Sequence, residues 1–107
     1  MSNLAKVHRP TVYIELDKAR PLEYRLRAFA RMEEKYGSVD AAMKAMEDGS
    51  IEAISFMLWC GLVHGDPQIT LEDVQDIVDI RDMEYVATKM GEVMSADMPD
   101  KVAAPNK

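Results

Sequence analysis

Cys60 and His64 stand four residues apart, so on a helix they share one face, with Asp66 close behind. A thiol beside an imidazole can act as a nucleophile–base pair or contribute two ligands to a transition metal. A metal centre wants three or four ligands, and the only other histidine is His8, in a stretch without periodicity. The simpler reading is a buried cysteine in an apolar helix and a histidine near that helix's negative C-terminal end. Glu72, Asp73, Asp76 and Asp79 form a second candidate, for calcium. They lack the D-x-[DN]-x-[DN]-G spacing, and they interleave with Leu71, Val74, Ile77 and Val78 at helical spacing, which describes a solvated helix face. Phosphate-cradling glycine loops, the G-x-S-x-G elbow and H-E-x-x-H are absent from the sequence. The expectation is a binding protein and not an enzyme, with no catalytic, cofactor or metal site.

The methionines carry more information. The chain has nine in 107 residues. Met83, Ala87, Met90 and Met94 recur at spacings of four, three and four, an a/d stripe bordered by Val86 and Val93. Met43 and Met46 make a shorter pair upstream. Most apolar helix stripes are simply core. Uniquely packed cores, however, favour Leu, Ile, Val and Phe, whereas unbranched, polarizable methionine suits surfaces that accommodate irregular helical partners. Met83, Ala87, Met90, Met94, Met43 and Met46 are therefore expected to form a protein-binding surface.

The elements that would position these residues follow from periodicity. Val12, Ile14 and Leu16 alternate with polar residues, as do Leu22, Tyr24 and Leu26 after a turn containing Pro21. That predicts a β-hairpin over residues 11–26 with one apolar side, which must pack on helices because a lone hairpin is marginal. From Ala28 the period becomes helical, with Phe29, Met32 and Tyr36 on one face and Gly37 as the stop. Ser38, Ser50 and Thr70 read as N-caps of helices over about 39–47, 51–64 and 71–79, and Asp79 or Asp82 opens a last helix reaching about 96. In the most apolar helix, Trp59 reads as a core side chain and Gly61 as a point of close approach. The expected fold is α+β, predominantly α: a hairpin packed on about five short helices. One globular domain is expected over 11–97, with a flexible lead-in at 1–10 and a disordered tail at 98–107.

Composition narrows the function classes. Hydrophobic residues make up 48% and charged residues 30%, the balance of a chain with a core. The longest apolar run, over 53–63, falls well short of the roughly 20 residues a spanning helix needs. No secretory leader is visible, and a single cysteine fits a reducing compartment, so a cytoplasmic location is expected. The net charge of −6 is uneven: residues 1–36 carry +3 and residues 37–107 carry −9. An acidic C-terminal two-thirds disfavours nucleic acid as a partner.

Tyr24-Arg25-Leu26, followed by Ala28-Phe29-Ala30-Arg31-Met32-Glu33-Glu34-Lys35-Tyr36-Gly37, resembles the opening of tail assembly chaperones of long-tailed, siphovirus-type bacteriophages. The likeness continues through Phe56-Met57-Leu58-Trp59-Cys60-Gly61-Leu62-Val63-His64, then Asp66-Pro67-Gln68-Ile69-Thr70-Leu71-Glu72-Asp73-Val74 and Ile77-Val78-Asp79. It spans about residues 12–95. Where family members often turn the hairpin on a Gly-Lys type sequence, this chain has Lys18-Ala19-Arg20-Pro21. The resemblance implies a non-catalytic virion-assembly protein of the bacterial host's cytoplasm, absent from the finished virion. It would bind the tape measure protein and keep it soluble while the tail tube assembles, and it allows for contact with the tail tube protein and for self-association. The competing reading is a small acidic helical adaptor or regulator that binds and inhibits another protein.

Overall fold

The computed structural model describes residues 11–97, so the expected lead-in at 1–10 and tail at 98–107 lie outside the described residues. Within them the fold is α+β and mostly helical: an antiparallel hairpin followed by five α-helices. Strand β1 is Val12–Glu15 and β2 is Ala19–Leu22, paired Val12 to Leu22 through Glu15 to Ala19. The helices are α1 Leu26–Tyr36, α2 Val39–Glu47, α3 Ile51–Leu62, α4 Leu71–Ile77 and α5 Met83–Asp97, with a 3-10 turn at Ile80–Asp82 leading into α5.

The hairpin is tighter than its alternation predicts. The turn is Leu16, Asp17 and Lys18, and Pro21 lies inside β2 opposite Tyr13, tolerated because a two-stranded ribbon has only edges. The cause is Arg20. Its guanidinium donates to both Asp17 carboxylate oxygens at 2.8 and 2.9 Å, drawing β2 back onto the turn. Leu22 and Tyr24 still share the inward face, but Leu26 does not join them: it begins α1 and is 85% exposed.

Helix boundaries follow local chemistry. Ser38 Oγ accepts from the Ala41 N–H and Ser50 Oγ from the Ala53 N–H. Thr70 and Asp73 exchange the two bonds of a capping box. Gly37 closes α1 at φ 94°, a conformation that costs other residues a Cβ clash.

Helix α3 is apolar around most of its circumference and occupies the centre, touching β2, α1, α2, α4 and α5. Ile14, Leu22 and Tyr24 of the hairpin arm, Met32, Met46, Met57, Leu58, Leu62, Val74, Val86, Met90 and Met94 form one core around it. Of the side chains expected inside, Phe29 and Ile77 are only partly buried. Gly61 sets the hairpin's approach: a Cβ there would lie 2.6 Å from Tyr24 Cζ and 2.7 Å from Leu22 Cδ1. The same contact is bonded, with the Glu23 N–H donating to the Gly61 carbonyl at 3.0 Å and Tyr24 Oη to the Met57 carbonyl at 2.8 Å. Among the described residues no helix is long and apolar enough to cross a membrane.

Candidate functional site

Much of the methionine stripe is buried. Met90 and Met94 are 0% exposed and Met46 is 8% exposed, so three of the six residues expected to meet a partner are core. Met43, Met83 and Ala87 are half-buried. The reason is where α5 lies. Although last in sequence, it packs against α3 and β1, and its Tyr85 Oη accepts a hydrogen bond from the Glu15 N–H at 3.0 Å. The Met90 and Met94 part of its a/d face is therefore covered inside the domain, where methionine serves as an adaptable filler between helices of unequal length.

Cys60 is buried, and burial pushes its thiol up to about 12, with Arg31 only partly opposing, so at neutral pH it offers no thiolate. His64 Nε2 sits 3.7 Å from Glu23 Oε1. Glu72, Asp73 and Asp76 are exposed on α4, Asp73 being engaged in the cap. Asp79 accepts from the Arg81 N–H and pairs with the Arg81 guanidinium, which holds its carboxyl below the ordinary range. Trp59 is half-buried. Its Nε1–H donates to the Ile69 carbonyl at 2.9 Å, and the Arg31 guanidinium lies 4.9 Å from its ring centre.

Two clefts flank α3. The first, of about 200 Å3, opens between α3, α4, the 3-10 turn and the start of α5. Ile54, Leu58, Val74, Val78, Met83 and Val86 line it, and Ile51 and Ile80 stand at its edge, 56% and 70% exposed. Its polar floor is already satisfied: Ser55 Oγ donates to the Ile51 carbonyl at 2.6 Å and accepts from Gln75 Nε2 at 3.1 Å. What remains open is apolar surface. Of the six residues expected to bind a partner, only Met83 lines this cleft.

The sequence held a signal for this cleft that the methionine spacing overshadowed. Ile51, Ile54 and Leu58 make an apolar stripe on α3 that needs a cover, and α4 has seven residues against the twelve of α3. The stripe runs about two turns, and Ile51 at its start is still 56% exposed. The segment that walls the cleft, residues 74–86, carries four Asp/Glu against one Arg.

The second cleft, of about 330 Å3, lies between the start of α1 and the end of α3, with Arg25, Arg27, Arg31, Glu23 and His64 in its wall. Compared with family models, with curated proteins and with solved structures, the chain matches none.

Proposed function

We propose that this protein is a tail assembly chaperone that binds the tape measure protein of a long-tailed phage and keeps it soluble in the host cytoplasm while the tail tube protein assembles around it. The observation that carries this reading is the open apolar cleft with Ile51 and Ile80 more than half exposed at its edge. The ordered likeness of residues 12–95 to that chaperone family supports it. A cleft of about 200 Å3 takes a few apolar side chains of an amphipathic helix, each worth roughly 1.5–3 kcal/mol when buried. After the cost of association that leaves modest affinity, which suits a chaperone that the growing tube must displace. A long helix offering many such ridges would bind several copies, and avidity would supply the hold that one cleft lacks. The acidic elements around the cleft favour a helix with basic flanks.

The exposed carboxylates of α4 also suit a regulator that occupies a basic protein's surface. Co-expression with the tape measure protein of the same phage separates the two readings. Wild-type chain should bring it into the soluble fraction. Ile80→Asp should fold normally, shifting stability by no more than about 0.5 kcal/mol, and should lose that effect. Tape measure protein that stays insoluble with wild-type chain, or stays soluble with Ile80→Asp, would defeat the assignment.

A further inference from the structure

The start of α1 breaks the usual rules for a helix N-terminus. Its N-cap is Arg25, whose side chain makes no capping bond, and its first turn has no acidic residue. Instead Arg25 and Arg27 add positive charge where the helix dipole is already positive, an arrangement that opposes folding unless an anion offsets it. A structural explanation would give these guanidiniums carboxylate partners, and only part of the set has one. Arg25 Nη2 reaches Glu23 Oε1 at 3.2 Å, and Arg31 is spread over the Trp59 ring. Arg27 is exposed and pairs with no carboxylate among the described residues.

These groups converge on the second cleft, where three guanidiniums face one carboxylate in a protein of net charge −6. The wall is not uniformly polar, since Ala28, Val63 and Pro67 contribute to it. We propose that this cleft binds an acidic, partly apolar peptide segment of a partner protein, its carboxylates on Arg25 and Arg27 and an apolar side chain against Val63 and Pro67. A free phosphate would use the cations but leave the apolar wall idle. An extended polyanion such as nucleic acid would have to run from this cleft past residues 37–97, which carry thirteen Asp/Glu against three Lys/Arg and repel it. A short acidic segment meets neither difficulty, and Arg31, held in place by Trp59, costs little ordering on binding.

This inference is independent of the helix-docking reading, because it uses the opposite side of α3 and none of the apolar cleft's residues. At 100° per residue, Ile51, Ile54, Ser55 and Leu58 point about half a turn away from Cys60, Val63 and His64.

The test is fluorescence anisotropy at low salt, with the full chain and a fluorescein-labelled synthetic peptide carrying Glu and Leu at helical spacing. A Gln-for-Glu version of that peptide and a labelled single-stranded oligonucleotide complete the set. The Glu peptide should bind, the Gln peptide should not, and Arg27→Glu should weaken the Glu peptide by about tenfold or more. Folding does not confuse the result, because a Glu in the first turn of α1 favours the helix and should leave Tm unchanged or raised. Equal binding of the Glu and Gln peptides, insensitivity to Arg27→Glu, or binding of the oligonucleotide in place of the peptide would overturn the proposal.

Discussion

The two clefts beside α3 differ in what made them. The apolar one lies where α4, the 3-10 turn and the start of α5 leave part of the α3 stripe open, with Ile51 and Ile80 at its edge. The basic one exists because charges gather where a helix terminus would ordinarily reject them, at Arg25 and Arg27. The first is a defect of coverage and the second a defect of electrostatics. Each leaves a favourable interaction unmade in the isolated domain, which a partner of the proposed kind would make by burial in one case and by charge neutralisation in the other. Binding to the apolar cleft should therefore tolerate salt, and binding to the basic cleft should fall steeply with it.

The comparison breaks if the methionine stripe, and not the cleft, is the working surface, and this gives the largest expected effect. Met90 is 0% exposed, so Met90→Lys must bury an unpaired ammonium or open the core. Removing the side chain alone, as in Met90→Ala, should cost about 2–5 kcal/mol. The lysine variant should exceed that and unfold a domain whose total stability is of order 5–15 kcal/mol. Circular dichroism at increasing temperature reads it directly. A cooperative melt near the wild-type midpoint would return Met90 to the surface and make the stripe a docking face after all.

That contrast also shows what sequence reveals and what it hides. The five helices and the caps Ser38, Ser50 and Thr70 are legible because each depends on residues within four positions of one another, and the hairpin because each strand alternates apolar and polar residues. Spacing likewise showed that Met83, Ala87, Met90 and Met94 share a face. It could not show that α3 and β1 already cover that face, since coverage is a property of the packed chain. The second strand was misplaced by about three residues for a related reason. The Asp17–Arg20 pair that tightens the turn is a side-chain interaction with no periodicity to announce it. The basic cleft was hidden because Arg25 and Arg31 look like ordinary helix-surface charges until α3 and the segment at Pro67 close the other side.

A mid-sized effect should sharpen the division between the clefts. Gly61 lies where the hairpin meets α3, and an added methyl would sit 2.6 Å from a ring carbon of Tyr24. Gly61→Ala should therefore cost about 1–3 kcal/mol through overpacking. The displacement falls on Tyr24 and its neighbour Glu23, which borders the basic cleft, and leaves the apolar cleft's lining alone. If both proposals hold, acidic-peptide binding should weaken in this variant while tape-measure solubilisation persists at temperatures below its melt. Denaturant unfolding gives the first quantity and the two binding assays the second. Parallel loss of both activities would mean that α3 couples the clefts and that they are not separate devices.

The smallest effect concerns acid. Arg20 is buried and spans two carboxylates: Asp17 in the hairpin turn and Asp66 Oδ2 at 3.2 Å in the loop after α3. It thus ties the hairpin to the loop whose Pro67 walls the basic cleft. The Arg20 hydrogen bonds hold the Asp17 carboxyl at about 2, below its ordinary 3.8. A depressed carboxylate contributes stability that is fully present above the unfolded-state value and is lost as pH falls through the folded one. The contribution of Asp17 should accordingly be constant above about pH 5 and fade between about pH 4 and 2. Asp17 is largely solvated, so solvent screening limits the amount to less than about 1 kcal/mol. Denaturant titrations of wild type and Asp17→Asn should differ by that amount at neutral pH and draw together as pH falls through about 2. Amide exchange should locate the loosening at Gly65 to Gln68, on the basic-cleft side, with Val74 on the apolar side unchanged. Exchange rising equally at both places would show that the ion pair supports the whole domain, and the two clefts would then share one acid response.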